Sequence, residues 1–148
     1  MKNKLNDFIK SAESEKFATT AGRAMHAKLQ HVCLGETNTG DPDLIKKIID
    51  SGDELKSFFN DGSKTEVPVA GIINGQFISR RIDRLVVDDK SRIVRIMDYK
   101  TDIDTIKFRQ KYKTQLKEYT ELLKQIYPKY KIFGYILWLH NWNLEQII

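Results

Sequence analysis

The hydrophobic pattern changes period twice along the chain. From Ala21 to Leu34 the apolar residues Met25, Leu29 and Val32 recur at helical spacing, behind Thr19 and Thr20 as caps. Residues 5–17 read as another helix, flanking the core. Gly35 to Gly40 is a loop. Asp41-Pro42 opens a third helix running through Ile49, because aspartate caps and proline suits the first helical position. Gly52-Asp53 breaks it, and a short helix is expected to carry Phe58 and Phe59. The spacing then becomes that of strands. Thr65 to Ala70, Gln76 to Val87 and Arg92 to Lys100 contain β-prone runs. The turn signals Ile73-Asn74-Gly75-Gln76 and Asp88-Asp89-Lys90-Ser91 separate them, which predicts an antiparallel three-strand meander. Phe108 to Gln125 returns to helical spacing, with Tyr112, Leu116, Tyr119, Leu123 and Ile126 on one stripe. Tyr127-Pro128 ends that helix, and Lys131 to Leu139 is an apolar run suited to a buried strand. The order predicts an α/β or α+β core with a mixed sheet.

Composition narrows the function classes. A chain of 148 residues suits one domain over 1–148. At 41% hydrophobic and 30% charged, it fits neither a disordered tail nor a membrane bundle. Its longest apolar run, Ile132 to Leu139, is far short of the roughly 20 residues a bilayer span requires. Asp7 follows Lys2 and Lys4, so no signal peptide is expected. Cys33 is the single cysteine, which excludes an internal disulfide framework, an all-cysteine zinc site and a four-cysteine iron–sulfur cluster. A reducing, cytoplasmic setting is the expectation. The net charge of +5 is concentrated late in the sequence: all the basic residues after position 99 fall between Lys100 and Lys131. That field suits a phosphate backbone, although a solvated lysine-rich helix face would account for it too.

Candidate chemistry gathers on the third strand of the meander. Alternation puts Asp98 and Lys100 on one side, about 7 Å apart along the chain. Asp83 and Asp98 are equidistant from the centre of the intervening turn, so the register allows them to face each other at about 5 Å. Two facing carboxylates repel unless a cation lies between them; the alternative is a pair of strand-end aspartates facing water. His26 lies beside the buried stripe of its helix, where neutral imidazole can ligate a metal or remain a half-exposed helix histidine. His31 and His140 read as structural. Gln115 sits between Tyr112 and Tyr119 and aims an amide at the sheet. A buried amide needs a hydrogen-bond partner, and a site carboxylate, its lysine or a nucleotide would serve. A boundary glutamine at the sheet edge is the alternative.

Five strings in order resemble the motifs of the RecB-type branch of the PD-(D/E)XK nucleases. They are Gly22-Arg23-Ala24-Met25-His26, Glu66-Val67-Pro68, Arg81-Ile82-Asp83-Arg84-Leu85, Asp98-Tyr99-Lys100-Thr101 and Tyr112-Lys113-Thr114-Gln115-Leu116-Lys117-Glu118-Tyr119. Ile126-Tyr127-Pro128 and Ile136-Leu137-Trp138 bring the resemblance closer to the C-terminal nuclease domain of AddA-type helicase–nuclease subunits, which act in bacterial double-strand-break repair. The iron–sulfur relatives need four cysteines and are excluded by Cys33 alone.

The resemblance covers about residue 20 to the end and implies a restriction-endonuclease-like core. It implies a Mg²⁺- or Mn²⁺-dependent deoxyribonuclease, exonucleolytic rather than endonucleolytic. His26, Asp83, Asp98 and the Tyr99 main-chain carbonyl would bind the metal, and Lys100 would be the catalytic lysine. Gln115 and Tyr119 would support the site or contact DNA. Glu66 would match an acidic residue without an assigned role. Arg80 stands where many relatives carry glycine, and would either add a phosphate contact or crowd the DNA path. Together with Arg81, Lys107, Lys111, Lys113 and Lys117 it forms the expected DNA-binding set. Tyr112 and Tyr119 suit base stacking or the core equally. The implied partners are DNA, the helicase part of a larger chain and an AddB-type subunit, with no membrane. The alternative is a catalytically weak or inactive DNA-binding or interaction domain on the same scaffold.

Overall fold

The computed structural model describes residues 20–148, so the helix expected at 5–17 lies outside the described residues. The expected meander is present as β1 (Lys64–Ile73), β2 (Gln76–Asp88) and β3 (Ile93–Lys100), antiparallel throughout. Asn74 and Gly75 turn the first hairpin, with φ of 50° and 77°. Positive φ at both central residues gives a turn whose twist matches that of the strands, which explains the Asn-Gly pair.

After β3 the chain caps a helix with Asp104, whose carboxylate accepts from the Lys107 N–H. This helix, α4, runs Thr105–Ile126, a turn earlier at its start than the expected Phe108. It returns the chain to β4 (Lys131–Trp138), which lies parallel to β3. A strand the pattern does not signal, β5 (Asn143–Gln146), pairs antiparallel with β4 and completes a mixed sheet in the order β1-β2-β3-β4-β5.

The other helices precede the sheet. The segment 20–29 is helical (α1), followed by α2 (Pro42–Asp50) and the single turn α3 (Asp53–Lys56). The helix expected to continue to Leu34 ends at 29. Cys33 instead exchanges backbone hydrogen bonds with Thr39, and the Leu34 N–H donates to the Phe59 carbonyl. Phe58 and Phe59 follow α3 rather than lying within it, and both are fully buried.

Alternation along β3 and β4 splits the core into two layers. Met97, Tyr99, Tyr135 and Leu137 face α1, α2 and the Phe58-Phe59 segment, packing with Leu29, Leu44 and Ile48. Val94, Ile96, Ile136 and Trp138 face the opposite way, against Leu116, Tyr119, Leu122 and Leu123 of α4. The expected α4 stripe is therefore correct except at its end, where Ile126 is exposed. Helices on both faces make a three-layer α+β arrangement, and no described helix is long and apolar enough to cross a membrane.

Candidate active site

β2 loses its regular pairing on both sides at one residue, Asp83. Toward β1 the ladder skips Glu66, whose φ is 51°, although Thr65↔Arg84 and Val67↔Ile82 pair on either side. Toward β3 the ladder ends at Arg84↔Met97. This register makes Asp83 and Asp98 the next residues to face each other, as the turn geometry predicted. Where the backbone ladder stops, a side chain takes over: Asp83 Oδ2 accepts the Tyr99 N–H at 2.9 Å. The buried donor is thereby satisfied, and the carboxylate is fixed at the point where two strands part.

His26 reaches the same oxygen from α1. Its Nε2 lies 3.3 Å from Asp83 Oδ2, and its ring sits edge-on to Tyr99 at 5.2 Å. Its Nδ1 is 2.8 Å from the Gly22 carbonyl. A carbonyl only accepts, so Nδ1 carries the proton of that bond. In the neutral ring, Nε2 would then turn a lone pair toward a carboxylate oxygen, an arrangement that requires a cation between them. A proton can fill that role, and the hydrogen bond to Asp83 raises the imidazole above its ordinary value of 6.5, against the opposing effect of burial.

Asp98 lies on the α4 side of β3 and is 3% exposed. Burial first, and then the Asp83 charge, push its carboxyl up to about 7, against the pull of Lys100. Lys100 Nζ is 3.5 Å from Asp98 Oδ2 and 3.0 Å from Gln115 Oε1, and lies over the Tyr112 ring, 4.2 Å from its centroid. Gln115 Nε2 donates to the Tyr119 hydroxyl at 2.8 Å. The amide expected to need a partner thus has two, the lysine and a tyrosine. Burial, followed by the charges of Asp98 and Asp83, raises the Tyr119 hydroxyl and keeps it protonated.

A cavity of about 780 Å³ opens onto this cluster. Its walls include His26, Asp83 and Lys100, with Glu66 at the strand break and Phe108 and Tyr112 from α4. Asp98, Gln115 and Tyr119 are not on the wall; they stand behind Lys100. Arg23 and Asp102 also line it, and the sequence pattern had assigned neither a role. Asp102 accepts a hydrogen bond from the Tyr112 hydroxyl, which holds that ring beneath the lysine.

The cations expected to meet DNA are placed differently. Arg80 is paired with Glu118 of α4 at 2.5 Å, and Arg81 with Glu66 at 3.6 Å. Lys107, Lys111 and Lys117 are exposed on α4 and Lys113 is half-buried, but none of the six lines the cavity. His31 and His140 are exposed and outside the cluster.

Among the described residues, no three His, Cys, Asp or Glu side chains already form a group that could hold a metal ion. The donor chemistry nevertheless fits one. The 3.3 Å between His26 Nε2 and Asp83 Oδ2 is close to the roughly 3 Å between adjacent ligands at about 2.1 Å from a divalent ion. A histidine that ligates a metal normally gives its other N–H to an acceptor such as a backbone carbonyl, as Nδ1 does here. The charge that burial and Asp83 disfavour on Asp98 is what a nearby cation would stabilise. The sequence pattern gives no role to Arg84, a buried arginine whose contacts reach three segments around the site; its signal is a charge at i±2 from the apolar Ile82 and Val86 on one strand. No protein-family model and no curated protein matches the chain.

Proposed function

We propose that this chain is a divalent-metal-dependent deoxyribonuclease of the RecB-type PD-(D/E)XK class, with a restriction-endonuclease-like core. The observation that carries the reading is the grouping of Asp83, Asp98, Lys100 and His26 where β2 departs from β3. His26, Asp83 and Asp98 would hold Mg²⁺ or Mn²⁺, with the Tyr99 carbonyl as a further ligand. When bound, the ion supplies a polarised water and offsets charge on the phosphate.

The remaining chemistry belongs to the side chains. Lys100 is held by Gln115 and the Tyr112 ring with its ammonium at the cavity wall. There it would orient the attacking water and neutralise the charge that develops as water adds to phosphorus and a sugar oxygen departs. Gln115 and Tyr119 act as positioning residues, because each reaches the cavity only through the lysine. The exposed α4 lysines would draw the DNA backbone without reading sequence. Arg80 supports access rather than obstruction, since Glu118 holds it away from the cavity. On this reading the partners are DNA, an AddA-type helicase and an AddB-type subunit.

The test is incubation of the chain with single- and double-stranded DNA in Mg²⁺, Mn²⁺ or EDTA. Cleavage should require the metal and fall at least ~100-fold in Lys100→Ala and Asp98→Ala. Cleavage that survives EDTA, or either substitution, would contradict the mechanism. Salt-sensitive DNA binding without metal-dependent cleavage would point to the non-catalytic alternative.

A further inference from the structure

Arg84 is 2% exposed, and no carboxylate pairs with it among the described residues. Taking an arginine out of water is costly unless every donor finds an acceptor. Here the acceptors come from separate parts of the chain. Nη2 donates to the Leu29 and Val32 carbonyls at 2.6 Å each, Nε to the Tyr99 hydroxyl at 2.9 Å, and Nη1 to Ser63 Oγ at 3.0 Å. The Phe59 ring lies 4.2 Å from the guanidinium carbon and covers one face. An apolar side chain would fill the same space without desolvating a charge. Buried polarity of this kind can specify one arrangement among several packings.

Arg84 is bonded to the two segments that present the candidate site and is itself part of the third. α1 carries His26, and Arg84 binds the carbonyl of its last residue, Leu29, and that of Val32 just beyond it. β3 carries Tyr99, whose N–H is held by Asp83 and whose ring packs against His26. β2 carries Arg84 itself, next in sequence to Asp83. A shift of α1 along its axis would change the separation of His26 Nε2 from Asp83 Oδ2. The guanidinium resists that shift by bonding the end of α1 and the Tyr99 side chain at once.

We propose that Arg84 is a positioning residue for the metal ligands, setting the distance between His26 and Asp83 from its place between α1 and the sheet; this rests on the reading of those residues as ligands. It contacts neither ligand side chain and acts through α1 and Tyr99. Groups that orient ligands in this way change metal affinity without contacting substrate.

The experiment compares wild type with Arg84→Met and Arg84→Lys, using circular dichroism to establish the fold. Three readouts follow: the Mn²⁺ concentration for half-maximal cleavage, the KM for DNA, and the NMR shifts of the Tyr99 amide and the His26 ring. Arg84→Met should raise the Mn²⁺ requirement about tenfold or more, leave KM within about twofold, and move both NMR signals. Arg84→Lys retains a charge but not the fork, and should recover stability more than it recovers the metal requirement. A folded Arg84→Met with unchanged Mn²⁺ requirement and unchanged signals would overturn the proposal. Should neither variant fold, Tyr99→Phe cuts the same link from its other end with the ring retained. It should raise the Mn²⁺ requirement severalfold, and no change there would overturn the proposal equally. If wild type neither cleaves DNA nor binds Mn²⁺, the nuclease reading fails, while the Tyr99 and His26 signals still decide whether Arg84 sets the geometry.

Discussion

A carboxylate that is 3% exposed and adjoins a second carboxylate is costly to ionise, and at Asp98 this cost outweighs the attraction of Lys100. The consequence for stability has a definite sign. Between its ordinary value of 3.8 and its folded value of about 7, Asp98 is ionised in the unfolded chain but keeps its proton in the folded one. The unfolded state binds fewer protons, so this group's contribution falls as pH rises through that window and stays low above it. His26 acts in the same direction: its pKa is raised above 6.5, so its stabilisation is complete below 6.5 and is lost as pH rises through the folded value. Asp98→Asn removes the first effect. In EDTA the variant should melt above wild type at pH 8, by at least ~2 °C, and the gap should widen from pH 4 to pH 7. Thermal unfolding across that range checks it; a gap that is constant or reversed would contradict the burial argument. The same substitution should abolish cleavage, an exchange of activity for stability common at charged sites.

At the scale of elements, the strongest cap and turn signals were legible, while the Asp104 cap of α4 and the end of α3 before Phe58 were not. The Asp41-Pro42 start of α2 is present, with the Asp41 carboxylate accepting from the Asp43 and Leu44 N–H groups. Replacing that cap should cost about 1 kcal/mol. Asp41→Ala is accordingly expected to lower the melting temperature by roughly 3 °C. It should leave cleavage unchanged, since α2 contributes no residue to the cavity wall; denaturant unfolding and a cleavage assay check both halves. The end of α1 was not legible. The Leu29 carbonyl at its end and the Val32 carbonyl beyond it are taken by Arg84, more than fifty positions away in sequence, and no local signal announces such a contact. β5 was missed for a related reason: four residues without strong alternation form a strand only because β4 offers an edge.

Across the whole molecule, the site was legible where geometry follows from a turn. Asp83 and Asp98 were placed by counting from a hairpin, and the observed β2–β3 register agrees. That Gln115 needs a partner followed from the rule that a buried amide must be bonded, but the rule left a carboxylate, the lysine and a nucleotide equally open, and the structure pairs it with Lys100. Distances set by packing between layers were not legible. Asp98 stands behind Lys100 rather than on the cavity wall, and Arg80 turns to α4 instead of the cavity. Both outcomes depend on how α4 lies across the sheet. Metal binding turns on one small volume, the space among His26 Nε2, Asp83 Oδ2 and Asp98. A crystal grown in Mn²⁺ and measured at the manganese edge tests it directly. An anomalous peak is expected within about 2.5 Å of the His26 and Asp83 ligand atoms, weakened or lost in Asp83→Ala. An Mn²⁺-saturated crystal with no peak there, and the two side chains still in direct contact, would contradict it.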